Sequence, residues 1–312
     1  MNRIEIRLPG NGEAQSLASF YADQHPNSNH CDKLCHPIRQ RALGSATDEL
    51  WLAAGPVTTR QQGRFQVTQA RDYQFLTIEV PDAVHSMRTS TEAAYRELLA
   101  LINGSDYPQL LRFWNYIPEI NQGSGDAEVY RQFCWGRAEA LEVEDRALPA
   151  ATGIGSADGV LRISALTASA AVTVRHLENP RQLSAYRYPR QYGPRSPSFA
   201  RATEVSLNDM AILLLSGTSS IVHHQTRHPH NLCAQTAETR RNIAELVATA
   251  AHADRLKPKH MRYYLRKPEE LCSAQNAYQS AFPDYPSASF VQGDICRVEL
   301  MMEIDGVFAT DC

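Results

Sequence analysis

The last apolar stretch of the chain, Leu300-Met301-Met302-Glu303-Ile304-Asp305, carries two acids among aliphatic and thioether side chains. A carboxyl desolvated by such neighbours holds its proton at neutral pH and can donate it. One that faces water beside Glu299 and Asp305 is an ordinary surface charge. Both readings fit the residues. Arginine is the natural partner for a carboxylate ligand, because its planar fork pairs two oxygens at once. Residues 183–202 (LSAYRYPRQYGPRSPSFARA) hold several arginines among Tyr186, Tyr188, Tyr192 and Phe199. Three prolines bar a regular element there, and a flexible linker would lack the aromatics. A structured, site-forming loop is expected.

Two groups have the residue types of metal ligands. His30-Cys31-Asp32-Lys33-Leu34-Cys35-His36 has a spacing that suits zinc, but no second Cys/His pair follows at zinc-finger distance. His223, His224, His228 and His230 form a pocket wall or a polar loop. Neither metal nor cofactor is expected.

The elements that must position these side chains recur in two halves. Residues 91–101 have helical spacing, 110–116 read as an aromatic strand and 128–133 as a second helix. About 150 positions later come a helix over 237–250, a strand over 260–265, and a helix from Pro268 to Phe282. Arg112 matches Arg262, and Phe133 matches Phe282. Each unit closes with a proline-led loop and a strand, 160–166 in the first and 298–304 in the second. The order points to a duplicated α+β domain with helices on one sheet face.

At 312 residues the chain is long enough for two domains, and a net charge of −3 argues against nucleic acid or an anionic membrane as partner. No apolar run approaches the roughly 20 residues that span a bilayer. Residues 1–7 read as a first strand rather than a signal peptide. Seven scattered cysteines point to reduced thiols in a cytoplasmic protein.

The second half resembles the Rid/YjgF imine-deaminase superfamily. Gly193-Pro194 and Phe199-Ala200-Arg201-Ala202 are similar to its opening motif, and residues 212–218 to its strand ending in Ser-Gly. Residues 264–282 and 298–307 are similar to its later strand, helix and Glu-bearing last strand. That family places a carboxylate-gripping arginine after the position of Pro286, where this chain has Ser287-Ala288-Ser289. Imine or enamine deamination is therefore the alternative, as is a ligand-binding module without catalysis. The chain as a whole is more similar to the chorismatases. The resemblance rests on Arg112-Phe113-Trp114-Asn115-Tyr116-Ile117-Pro118-Glu119-Ile120-Asn121, Tyr130-Arg131-Gln132-Phe133-Cys134-Trp135-Gly136-Arg137, residues 148–155, 188–194 and 216–222, and Gly293-Asp294-Ile295-Cys296-Arg297. His223 departs from it, standing where that family has glycine.

The resemblance implies an α+β fold of two tandem Rid/YjgF-like (chorismate-mutase-like) domains, with mixed sheets and helices on one face. Residues 1–180 would be the degenerate first domain, and 181–312 the catalytic one, led by loop 183–202. The implied reaction cleaves the enolpyruvyl ether of chorismate to pyruvate and 3-hydroxybenzoate, with 4-hydroxybenzoate left open. Glu303 would be the acid, with Asp305 as rival, and Cys296 would steer product. Cys296 lies an odd seven positions from Glu303, so it must sit in a loop before the strand or across a bulge. Arg137 and Arg201 would grip the two carboxylates, and Tyr188 and Tyr192 would donate hydroxyls. Arg190, Arg195 and Arg262 are weaker candidates. Ser216-Gly217-Thr218 would let the backbone approach the ring. A monomer is expected, since a tandem repeat satisfies internally the contacts that single Rid domains make as trimers.

Overall fold

The computed structural model of the chain describes residues 2–10, 13–23, 35–44, 47–142 and 147–311. Three sheets share one central core. The first holds β1 (Asn2–Arg7), β2 (Ala14–Asp23), β3 (Cys35–Arg41) and β4 (Thr47–Ala54), in the order β1-β4-β2-β3.

The second sheet runs β5-β6-β7-β10-β8-β9, from β5 (Thr58–Gln62), β6 (Phe65–Gln69), β7 (Tyr73–Val80), β8 (Gln109–Pro118), β9 (Ala150–Ser156) and β10 (Leu161–Ala168). Helices α1 (Met87–Asn103) and α2 (Val129–Glu142) flank β8 in sequence.

The third repeats this order as β11-β12-β13-β18-β16-β17, in β11 (Thr173–Leu177), β12 (Ala202–Leu207), β13 (Met210–Thr218), β16 (Lys257–Leu265), β17 (Ser289–Gln292) and β18 (Met302–Ala309). A two-stranded ribbon, β14 (Ile221–Val222) and β15 (Gln225–Thr226), precedes α3 (Leu232–Val247), and α4 (Leu271–Ala281) follows β16. In both halves the penultimate pair in the sheet order is antiparallel and the last pair parallel. The duplicated α+β architecture is therefore present.

Alternation along the strands explains the layering. In β8, Phe113 packs toward α1 and α2 while Trp114 faces the central core; in β13, Leu213 and Leu215 meet α3 and α4 while Leu214 faces the centre. Phe20, Trp51 and Phe75 surround Trp114 at centroid distances of 5.1, 5.5 and 6.0 Å, joining the first and second sheets. Arg112 and Arg262 occupy matching places on β8 and β16, and both are buried. Phe133 and Phe282 do not match: Phe133 lies inside α2, whereas Phe282 caps the end of α4.

The last strand also starts later than the sequence suggested. Val298 and Glu299 form a turn, and β18 begins at Met302. Side chains replace a strand ladder here. Arg266 donates to the carbonyls of Ile295, Arg297 and Leu300 at 2.8, 2.9 and 2.8 Å, and Gln235 accepts from Met301 N at 2.7 Å.

A buried ionic knot fastens the three sheets together. Glu49 on β4 pairs with Arg262 on β16, lies 3.0 Å from His260 Nε2, and accepts from Trp51 Nε1 at 2.6 Å. Arg262 reaches Tyr116 on β8 at 3.5 Å. Burial alone would push the Glu49 carboxyl up, but Arg262 and His260 outweigh it and hold the group at about 2, against an ordinary 4.5. Its stabilising contribution is complete above pH 4.5 and is lost as pH falls from there toward 2. Glu49→Gln should cost about 3 kcal/mol or more, since it leaves a buried guanidinium uncompensated. Urea denaturation at pH 7 measures this, and the difference from the parent should shrink below pH 4.

Candidate active site

A cavity of about 440 Å³ opens between the two halves, within the range that takes small-molecule ligands. Glu303 enters it from β18, on the strand face shared with Asp305 and Val307. Met302 and Ile304 point the other way, toward α3 and α4. Its neighbours in sequence therefore do not desolvate Glu303; the walls of the cavity do, with Gly217 and Ser219 against its carboxyl. Burial, reinforced by the Asp305 charge and opposed by Ser219 and Arg201, pushes the carboxyl up to about 8. At neutral pH it is a neutral acid.

Gly217 makes room for it. Between Leu215 and Thr218 the register of β13 against β18 slips by one residue, forming a bulge at Ser216-Gly217. A Cβ on Gly217 would lie 1.9 Å from Glu303 Oε1 and 2.7 Å from its Cδ. The glycine thus admits the acid, where the sequence suggested an approach to a ligand ring. Ser216 and Thr218 do not line the cavity. Ser216 Oγ donates to Ala200 O at 2.6 Å and accepts from Ala151 N at 2.9 Å, stitching β13 to β9, and Thr218 Oγ1 donates to Ser216 O at 2.9 Å. Ser219 Oγ, which the sequence did not flag, lies 2.9 Å from Met302 O and 3.3 Å from Glu303 Oε2. It can donate to the carboxylate once the proton has left.

The two guanidiniums come from opposite walls. Arg137, on α2, is buried with its guanidinium carbon 5.2 Å from the ring centroids of both Tyr95 and Phe113. Its Nε and Nη2 have no hydrogen-bond partner among the described residues. A buried cation without a counter-charge among the described residues calls for an anionic ligand. Gly136 lets this helix come close to α1, since a Cβ there would lie 2.0 Å from Arg88 O. Arg201 stands just before β12, with Nη2 donating to Leu183 O at 2.7 Å and to the Tyr188 hydroxyl at 2.9 Å, and with Nε unpartnered. Arg190, a weaker candidate, is instead spent on a surface ion pair with Asp126, and Arg262 on Glu49.

Loop 183–202 folds as two short 3-10 turns, and Tyr188, Tyr192 and Phe199 from it line the cavity. Arg297, another residue the sequence reading missed, lies 4.0 Å over the Tyr192 ring and donates to His224 O at 3.0 Å. The Tyr192 hydroxyl lies 3.2 Å from His224 Nδ1. His223 takes a left-handed backbone with φ 53°, the region glycine favours.

Cys296 lies in the loop before β18, which removes the difficulty of its odd offset from Glu303. The loop is pinned by Asn121 Nδ2 to Ile295 O at 3.0 Å, Gly155 N to Asp294 O at 2.8 Å, and the Arg266 bonds. Burial, with Glu303 nearby, pushes the Cys296 thiol up to about 12, so it is neutral at physiological pH. Cys134 and Tyr130 on α2 complete this wall. Asp305, the rival acid, is outside the lining and is held by Arg112, Thr152 and Tyr264.

Among the described residues no cluster of three or more His, Cys, Asp or Glu side chains is placed to hold a metal ion. His30, Cys31 and the residues to Leu34 lie outside the described residues. No described helix is long and apolar enough to cross a membrane.

Residues 49–167 match the family model described as chorismatase FkbO/Hyg5-like, N-terminal. A chorismatase of Streptomyces rapamycinicus is 34% identical over 84% of this chain and 82% of its own length. A 3-hydroxybenzoate synthase of Streptomyces hygroscopicus is 37% identical over 70% of this chain and 68% of its own. A chorismatase crystal structure superposes with a TM-score of 0.79 at 25% identity, covering 94% of this chain and 92% of that one. Identity of this level and extent, on a chain whose cavity joins a desolvated acid to buried guanidiniums, leads to one conclusion: the chain is an enzyme and belongs to the chorismatase family.

Proposed function

We propose that the enzyme cleaves the enolpyruvyl ether of chorismate, releasing pyruvate and 3-hydroxybenzoate, in a cytoplasmic setting where its free thiols stay reduced. The observation that carries this reading is the Glu303 carboxyl, held neutral in a cavity shared with Arg137 and Arg201. Two guanidiniums suit a substrate with two carboxylates, and a neutral acid suits protonation of an electron-rich methylene carbon.

Glu303 gives its proton to the enolpyruvyl methylene, and the ether carbon becomes oxocarbenium-like. The ring hydroxyl at carbon 4 then attacks carbon 3, the bond from carbon 3 to the ether oxygen breaks, and pyruvate leaves. The hydroxyl proton returns to the Glu303 carboxylate, which Ser219 supports meanwhile. The resulting arene oxide opens and rearomatises to 3-hydroxybenzoate. Attack by water on the oxocarbenium carbon would instead give pyruvate and the diene-diol. Cys296, a neutral thiol in the wall, favours the first route by occupying space and offering only a weak hydrogen bond.

Incubation with chorismate, an enzymatic pyruvate assay and chromatography of the ring products test the proposal. Pyruvate with 3-hydroxybenzoate is expected, without ammonia. Ammonia released from imines would favour a deaminase, and binding without turnover a ligand-binding module. Cys296→Val should raise the share of products other than 3-hydroxybenzoate; an unchanged ratio removes its role.

A further inference from the structure

Asp305 is buried two residues beyond Glu303 on the same face of β18. Three strands hold its Oδ2: Arg112 Nη2 from β8 at 2.8 Å, Thr152 Oγ1 from β9 at 2.9 Å, and the Tyr264 hydroxyl from β16 at 3.0 Å. The cation of this pair lies on the core side. The Arg112 guanidinium sits 4.7 Å over the Trp114 ring, with Nη1 3.4 Å from Gly306 O. Asp305, on the same strand face as Glu303, is the member of the pair whose charge acts on that carboxyl.

Other charged and titratable groups face Glu303 from each element around it. Arg201 approaches from the start of β12, Tyr130 from α2, and Cys296 from the preceding loop. Tyr264 is its cross-strand partner on β16, and Arg137 and Glu299 line the same cavity. Burial keeps Tyr130, Tyr264 and Cys296 neutral. Arg201 favours the ionised form of Glu303, and the Asp305 charge opposes it.

We propose that Asp305 is a positioning residue for the reacting proton: its fixed negative charge, anchored by Arg112, Thr152 and Tyr264, returns Glu303 to the neutral acid between turnovers. This rests on the reading of Glu303 as the proton donor. It assigns the second acid a task other than touching substrate.

Two readouts test it: the pH profile of kcat, and an infrared titration of the carboxylic C=O stretch that disappears in Glu303→Gln. Asp305→Asn should move both the alkaline limb and the infrared titration toward acid by about one pH unit, with KM for chorismate little changed. Asp305→Glu, which restores the charge, should bring both back. A titration that stays put in Asp305→Asn overturns the proposal, as does one that moves equally in Asp305→Glu. If Asp305→Asn does not fold, Asp305→Ser, which also removes the charge, takes its place in both readouts. A limb displaced toward acid supports the proposal, and a limb at the native pH overturns it. Normal turnover by Glu303→Gln would remove the proton-donor reading itself, which the infrared titration of Asp305→Asn does not depend on.

Discussion

Glu303→Gln is expected to lower pyruvate release from chorismate by about a thousand-fold, the scale of a lost general acid. Chorismate should still bind, because Arg137 and Arg201 stand on other elements and keep their surroundings. The substitution preserves shape and removes only the transferable proton, so the loss should fall on kcat and spare KM. Stopped assays of pyruvate, paired with calorimetric titration of the variant, separate the two. In the parent enzyme, kcat should be flat at neutral pH and decline as pH rises through about 8, where Glu303 gives up its proton. Near-parental turnover by the glutamine variant would remove Glu303 from the chemistry.

Gly217→Ala should cost kcat about a hundred-fold, although the new methyl touches no substrate. The added carbon claims the place of Glu303 Oε1, 1.9 Å away. Either the bulge in β13 opens or the carboxyl swings aside, and a displacement of about 1 Å at the reacting group is worth roughly that factor. Overpacking should also cost about 1–3 kcal/mol of stability. The two losses are separable, since thermal unfolding measures the second and kcat of the folded fraction the first. A variant that is less stable but catalytically normal would show that Glu303 has slack to spare.

Much of this architecture is legible in the residues. Helical spacing over 91–101 and 237–250 and the aromatic strand at 110–116 announce the repeat, and the Arg112 and Arg262 match survives in the sheets. The Phe133 and Phe282 match does not, because helices of unequal length slide a residue's place without disturbing the strands. The site was legible only in part. Glu303 could be named from its resemblance, but which way it faces depends on where β18 begins. β18 begins at Met302, after a loop whose carbonyls at Ile295, Arg297 and Leu300 are held by Arg266. Arg266, Arg297 and Ser219 act through partners between about 30 and 85 positions away, at separations no local pattern encodes.

In the second sheet Trp114 faces Ser164 across the β8 and β10 pair, and two positions back Arg112 faces Leu166. In the third sheet Tyr264 faces Glu303, and Arg262 faces Asp305. Ser164 and Leu166 are thus the counterparts of the two acids, and neither is a carboxylic acid. Only one repeat supplies a carboxyl to the cavity from this strand position while the other forms the opposite jaw, so active-site titration should count one turnover centre per polypeptide, not two.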